Sequence, residues 1–115
     1  MSKKQITVVE LTEFSSFAQK HLSTNELMDI VTHLSCNTTD GDLIQGTGGL
    51  RKLRWAAKGK GKSGGVRIIY YFYSDEIPLF LITGFAKSEM ANISQAAKNE
   101  YKKLLPLIVQ HYKVK

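Results

Sequence analysis

Seven cationic side chains crowd into one short stretch of this 115-residue chain: Arg51, Lys52, Arg54, Lys58, Lys60, Lys62 and Arg67. No Asp or Glu stands between Asp42 and Asp75, so the positive charge is segregated along the chain. Cations gathered on adjacent strands and the turn between them attract phosphates and hold a nucleic-acid backbone through salt-sensitive contacts. The overall excess of 16 Lys and Arg over 10 Asp and Glu, a formal charge of +6, is compatible with a polyanionic partner or with simple solubility. Placement decides between them.

Arg67 lies in a strongly apolar run, residues 66–73, where a charge must reach solvent, pair with an acid or meet a bound anion. Period two puts Arg67, Ile69, Tyr71 and Tyr73 on one side and Val66, Ile68, Tyr70 and Phe72 on the other. Rings beside cations can stack an unpaired base, although packing with a hydrogen-bonded hydroxyl is the commoner role for any one tyrosine. Lys87, just past the next apolar run, has the spacing to lie beside Arg67 and converge with it on one phosphate. The alternation Lys58, Gly59, Lys60, Gly61, Lys62 superficially suggests a phosphate cradle. It precedes a strand-like run and lacks the P-loop spacing, so on local grounds it is a solvated hairpin turn.

Other chemistries find little support. His21, His33 and His111 are dispersed and show no metal-ligand spacing, and Cys36 stands alone, so neither a metal site nor a disulfide is expected. Ser63, Ser74 and Ser88 have no triad context. Glu89, two residues after Lys87, has the position to take a proton or orient a lysine, but the better expectation is a place at the entrance of the last helix. Asp75 and Glu76 read as turn residues.

The elements that must position these groups follow from pattern. Residues 6–11 are β-branched and strand-like, and Thr12 is placed to cap a helix carrying Phe14 and Phe17. Ser23 and Glu26 form a capping box ahead of Leu27, Ile30, Val31 and Leu34 at helical spacing, giving a second helix to about Cys36. Residues 37–41 and 46–49 are loop signals. Residues 50–57 alternate as a half-buried strand, with Leu53 and Trp55 opposed to Arg54 and Ala56. Two further strands, 66–73 and 79–85, complete an antiparallel meander. A last helix, capped by Asn92 or Ser94, carries Ala96, Ala97, Tyr101, Leu104 and Leu105, and Pro106 should kink or end it. The order predicts a single α+β domain over residues 1–115, an antiparallel sheet with two N-terminal helices and a C-terminal helix, all on one face. A hydrophobic content of 43% with 23% charge is that of a folding chain. The start of the sequence lacks the apolar core of a secretory leader, and no stretch approaches the ~20 apolar residues of a membrane span. A reducing cytoplasm is the expected location.

Residues 43–54, Leu-Ile-Gln-Gly-Thr-Gly-Gly-Leu-Arg-Lys-Leu-Arg, then the glycine-rich turn and Val66-Arg67-Ile68-Ile69-Tyr70-Tyr71, resemble the RelE/HigB toxins in order and spacing. The match is to the HigB-like branch, and residues 85–89, Phe-Ala-Lys-Ser-Glu, continue it. The resemblance implies a RelE-like fold and a ribosome-dependent, metal-independent endoribonuclease, needing no cofactor. Such a toxin cuts mRNA in the A site by activating a ribose 2′-hydroxyl against the adjacent phosphate. Carried over by position, it makes Lys58, Lys60, Arg67 and Lys87 catalytic, with Lys60 as base, Lys58 in support, and Arg67 and Lys87 stabilising the transition state. Arg54, Lys62, Tyr71 and Tyr73 would bind RNA. It further implies a ribosome contact through 16S rRNA and a helix-turn-helix antitoxin through which alone the chain meets DNA. Met90, Ala91 and Asn92 stand where some relatives place a tyrosine, which leaves the acid/base pair open. The rival readings are a ParE-like gyrase inhibitor on the same scaffold and a non-catalytic RNA-binding domain. The basic cluster speaks against the first, and an Arg67→Ala cleavage assay separates the second.

Overall fold

The structure, a computed structural model, describes residues 5–56 and 65–113. Strand β1 (Val8–Glu10) leads directly into helix α1 (Thr12–His21). Thr12 is the first helical residue and not the expected cap. Leu11 holds the cap position without a side-chain bond, and its N–H donates to the Leu81 carbonyl at 2.9 Å, prolonging the strand. Helix α2 (Thr24–Cys36) starts at the predicted capping box: Glu26 N–H donates to Ser23 Oγ at 3.1 Å, and Ser23 N–H donates to Glu26 Oε1 at 2.8 Å. Two of the N–H groups that every helix start leaves unpaired are thereby satisfied.

A short strand β2 (Asp42–Leu43), absent from the sequence expectation, pairs antiparallel with β3 (Leu50–Trp55). The connection is tight. Thr47 Oγ1, fully buried, donates to the Ile44 carbonyl and accepts from Leu50 N–H. Gly49 has φ +129, and a Cβ there would lie 2.9 Å from the Tyr71 ring, so only glycine fits. Strands β4 (Val66–Tyr71) and β5 (Leu79–Ala86) complete the meander. The spatial order is β1-β5-β4-β3-β2. The sheet is mixed, because β1 joins the edge parallel to β5 with Val8 opposite Leu79. Between Ile69 and Tyr70 the β4–β5 register shifts, leaving Ile82 as an extra residue on β5.

The helices lie on both faces of the sheet, which corrects the expectation of one covered face. Phe14, Phe17 and Ala18 of α1 and Ile30 and Leu34 of α2 pack with Leu53, Val66, Ile68, Tyr70, Leu79 and Leu81. Leu105 and Val109 of α3 (Gln95–Lys113) pack with Leu50, Ile69, Tyr71, Phe80, Ile82 and Phe85. Every residue of β4 is buried, as a strand between two layers must be. Ser94 caps α3, its Oγ accepting from Ala97 N–H at 3.1 Å. Pro106 neither ends nor divides the helix, which runs on to Lys113. Beyond the proline, Ile108, Val109 and Tyr112 pack into the second core, and that burial outweighs one lost helical bond.

Candidate active site

On the face that α3 shares, β3 and β4 set Arg54 directly opposite Arg67, and β5 sets Phe85 opposite Arg67. Lys52 follows two residues along β3, opposite Ile69. The period-two alternation of β3 thus separates the three cations of this strand. Lys52 and Arg54 join Arg67, whereas Arg51 turns to the other face, where its Nη1 donates to the Gly41 carbonyl at 2.8 Å and the Thr39 carbonyl at 3.2 Å.

Arg67 is only 6% exposed. Its Nη1 donates to the Val66 carbonyl at 3.2 Å, and its neighbour across the strand, Arg54, is exposed. Among the described residues the ion pairs are Lys20–Glu89, His21–Glu89 and His33–Asp40, and no carboxylate reaches Arg67 or Arg54. Two cations directly opposite on neighbouring strands repel each other, so the arrangement is suited to an anion between or above them. Lys87 is held nearby by its backbone, its N–H donating to the Gly65 carbonyl at 3.0 Å two residues before Arg67. Its side chain is exposed. Lys58, Lys60 and Lys62 lie outside the described residues.

Glu89 does not stand at the entrance of α3. It reaches back to the end of α1, with His21 Nε2 at 3.2 Å and Lys20 Nζ at 3.9 Å, so the turn that follows Lys87 is tied to that helix. His21 is itself stacked on Phe17 at 5.1 Å between ring centroids. Lys52 Nζ donates to Asn92 Oδ1 at 3.1 Å, tying the segment before α3 to the cationic face. Lys52 was legible as part of the basic run, and its placement two residues from Arg54 was the signal for its face.

Tyr71 and Tyr73, the residues expected to stack bases, are not gathered with these cations. Tyr71 lies four residues beyond Arg67, about 13 Å along a strand. It is buried in the second core, and burial raises its hydroxyl pKa above the ordinary tyrosine value. Tyr73, 46% exposed, carries the Lys113 ammonium 5.4 Å from its ring centre. Among the described residues no group of three or more His, Cys, Asp or Glu side chains could hold a metal ion, and no helix is long and apolar enough to cross a membrane.

A family model, RelE toxin of the RelE/RelB toxin–antitoxin system, matches residues 6–113. The chain belongs to the RelE toxin family. It is accordingly a toxin of a toxin–antitoxin system, and the RelE-like α+β fold expected from the sequence is the one observed. Two solved structures resemble this RelE toxin, both of the E. coli DinJ–YafQ toxin–antitoxin complex. They share 19% and 20% identity, cover 76% of this chain and 99% and 100% of theirs, and superpose with a TM-score of 0.43 in each case.

Proposed function

We propose that this RelE toxin, of the HigB-like kind, is a ribosome-dependent, metal-independent endoribonuclease that cuts mRNA in the A site and so arrests translation. The observation that carries the reading is the opposition of Arg54 and a buried, backbone-anchored Arg67 with no described carboxylate to neutralise them. A guanidinium held in place before the reaction stabilises charge that develops on a phosphate without having to reorganise. The fork of N–H donors on arginine also suits two phosphate oxygens at once.

In this reading Lys60, supported by Lys58, removes the proton from a ribose 2′-hydroxyl. The 2′ oxygen attacks the adjacent phosphorus, and Arg67 and Lys87 stabilise the phosphorane-like charge that builds there. The bond from phosphorus to the 5′ oxygen then breaks, the departing oxygen takes up a proton, and a 2′,3′-cyclic phosphate remains. Arg54 and Lys62 hold the flanking backbone. Tyr71, some 13 Å farther along the strand, and Tyr73, beyond the end of β4, stand apart from this step. The toxin works in the cytoplasm, meets 16S rRNA through its basic face, and is held in check by a helix-turn-helix antitoxin that provides its indirect link to DNA.

Primer extension on mRNA translated in vitro tests the reading, with the wild-type chain, Arg67→Ala, and ribosomes omitted. Cuts that require ribosomes and vanish in Arg67→Ala are the expected result. Growth arrest on expression without cuts under any condition would rule it out in favour of a gyrase-directed toxin. Equal losses of cleavage and of ribosome binding in Arg67→Ala would assign Arg67 to binding and not to the chemical step, and ribosome binding without any cuts would indicate an RNA-binding domain without chemistry.

A further inference from the structure

A cavity of about 550 Å³ opens between the end of β4 and the C-terminal half of α3. Its buried floor is Tyr71, Leu105 and Val109, Pro106 adds exposed apolar surface, and Lys102 and Lys113 stand exposed on its rim. No Asp or Glu is among the described residues that line it.

We propose that this groove is a docking site for an acidic, amphipathic segment of a protein partner, of the kind an antitoxin would contribute. Two features select that chemistry. The apolar floor calls for aliphatic or aromatic anchors, because such surface gains most from burial against side chains of its own kind. The two lysines, unopposed by any lining carboxylate, call for acidic residues flanking those anchors.

A nucleic-acid strand fits less well. Tyr71 offers no free ring face because it is buried, and Tyr73 is engaged by Lys113, whose Nζ lies 3.4 Å from its hydroxyl and 5.4 Å from its ring centre. The groove also stands about 13 Å along β4 from Arg67, so a segment seated in it leaves the paired arginines uncovered. Partner and phosphate then occupy the same face at separate places. The inference rests on the pairing of this toxin with a protein partner and not on the cleavage reaction.

Fluorescence anisotropy with the full chain tests it, using three labelled probes. One is a peptide of about fifteen residues with leucines at helical spacing and glutamates between. The second has lysines in place of the glutamates, and the third is a single-stranded RNA. The acidic peptide should bind at least about tenfold more tightly than the basic one, the Lys102→Glu, Lys113→Glu double variant should invert that preference, and Arg67→Ala should leave it unchanged. Both lysines are exposed, so the double variant is expected to keep its fold and wild-type thermal unfolding checks that it has. Absence of acidic-peptide binding, or a preference untouched by the double variant, overturns the proposal. So does loss of RNA binding in that variant with peptide binding intact. Any of these results leaves the primer-extension test of Arg67 as it was.

Discussion

Arg54 on β3 and Arg67 on β4 are direct cross-strand partners, two cations side by side on one face of an antiparallel ladder. Like charges so placed destabilise a sheet by up to about 1 kcal/mol. Replacing the exposed member, Arg54→Gln, should therefore raise the unfolding midpoint while weakening cleavage. Chemical denaturation and primer extension on the same preparation measure both. For Arg67→Ala the expected loss of cleavage is larger, about 10²–10³-fold, the range found when one preorganised donor is removed from a developing anion. Arg67→Lys should recover little of it, since an ammonium lacks the planar fork.

Gly84 on β5 lies beneath Phe17 of α1, and a Cβ built on it would fall 2.5 Å from the ring. Gly84→Ala should cost about 1–3 kcal/mol, the usual penalty of overpacking a filled core. Urea denaturation checks it. A Gly84→Ala, Phe17→Leu double variant, with a smaller side chain over the strand, should destabilise less than the sum of the two single changes.

The turn after Lys87 is tied to α1 by Glu89, whose partners are His21 and Lys20. Because Glu89 and Lys20 are largely exposed, Glu89→Gln should alter stability by less than about 1 kcal/mol. The effect on cleavage should be the larger one, a few-fold fall in kcat, since the substitution frees the turn that presents Lys87. Single-turnover kinetics beside a thermal melt would separate the two. A large drop in Tm with unchanged kcat would contradict this assignment.

Tyr101 of α3 donates its hydroxyl hydrogen to Glu13 Oε2 at 3.1 Å, joining the last helix to the first. Burial, with the adjacent Glu13 charge, pushes its pKa up to about 12 from the ordinary 10.0. A folded-state pKa above the unfolded one means stability that is fully present below about pH 10 and falls as pH rises toward 12. Tyr70 and Tyr71, also raised by burial, act in the same direction. Tyr101→Phe should make the decline in Tm over this alkaline window shallower than in the wild type. Parallel curves for the two proteins would contradict it.

Much of this architecture could be read from local patterns because local physics decides it. The capping box at Ser23 and Glu26 fixes the start of α2 through two reciprocal hydrogen bonds, and alternation along β3 assigns Arg54 to its face. Long-range pairing is another matter. Nothing within residues 6–11 states that β1 will lie parallel to β5, since that choice is made by a strand some seventy residues away. Covering of both sheet faces did have a signal in the unbroken apolar run of β4, where only Arg67 interrupts it. Pro106 does not end the helix for a physical reason: the cost of a proline inside a helix is local, whereas the burial of Val109 and Tyr112 beyond it is tertiary. The separation of Tyr71 from Arg67 was within reach of the sequence, since four residues at the rise of a strand span about 13 Å, whereas period two by itself reports only a shared face.

The parallel edge strand has a bearing on how the molecule is born. Residues Val8–Glu10 leave the ribosome early, yet their partners Leu79–Leu81 are synthesised about seventy positions later. Until then the first strand has no partner, and the helix that follows it lacks the β5 surface that receives Phe17. Contacts so far apart in sequence are late and slow to form. The nascent chain therefore cannot complete its fold from the N-terminus inward. A messenger truncated before β5 would yield an incomplete sheet, and the cell making this toxin meets its finished form only once β5 has been translated.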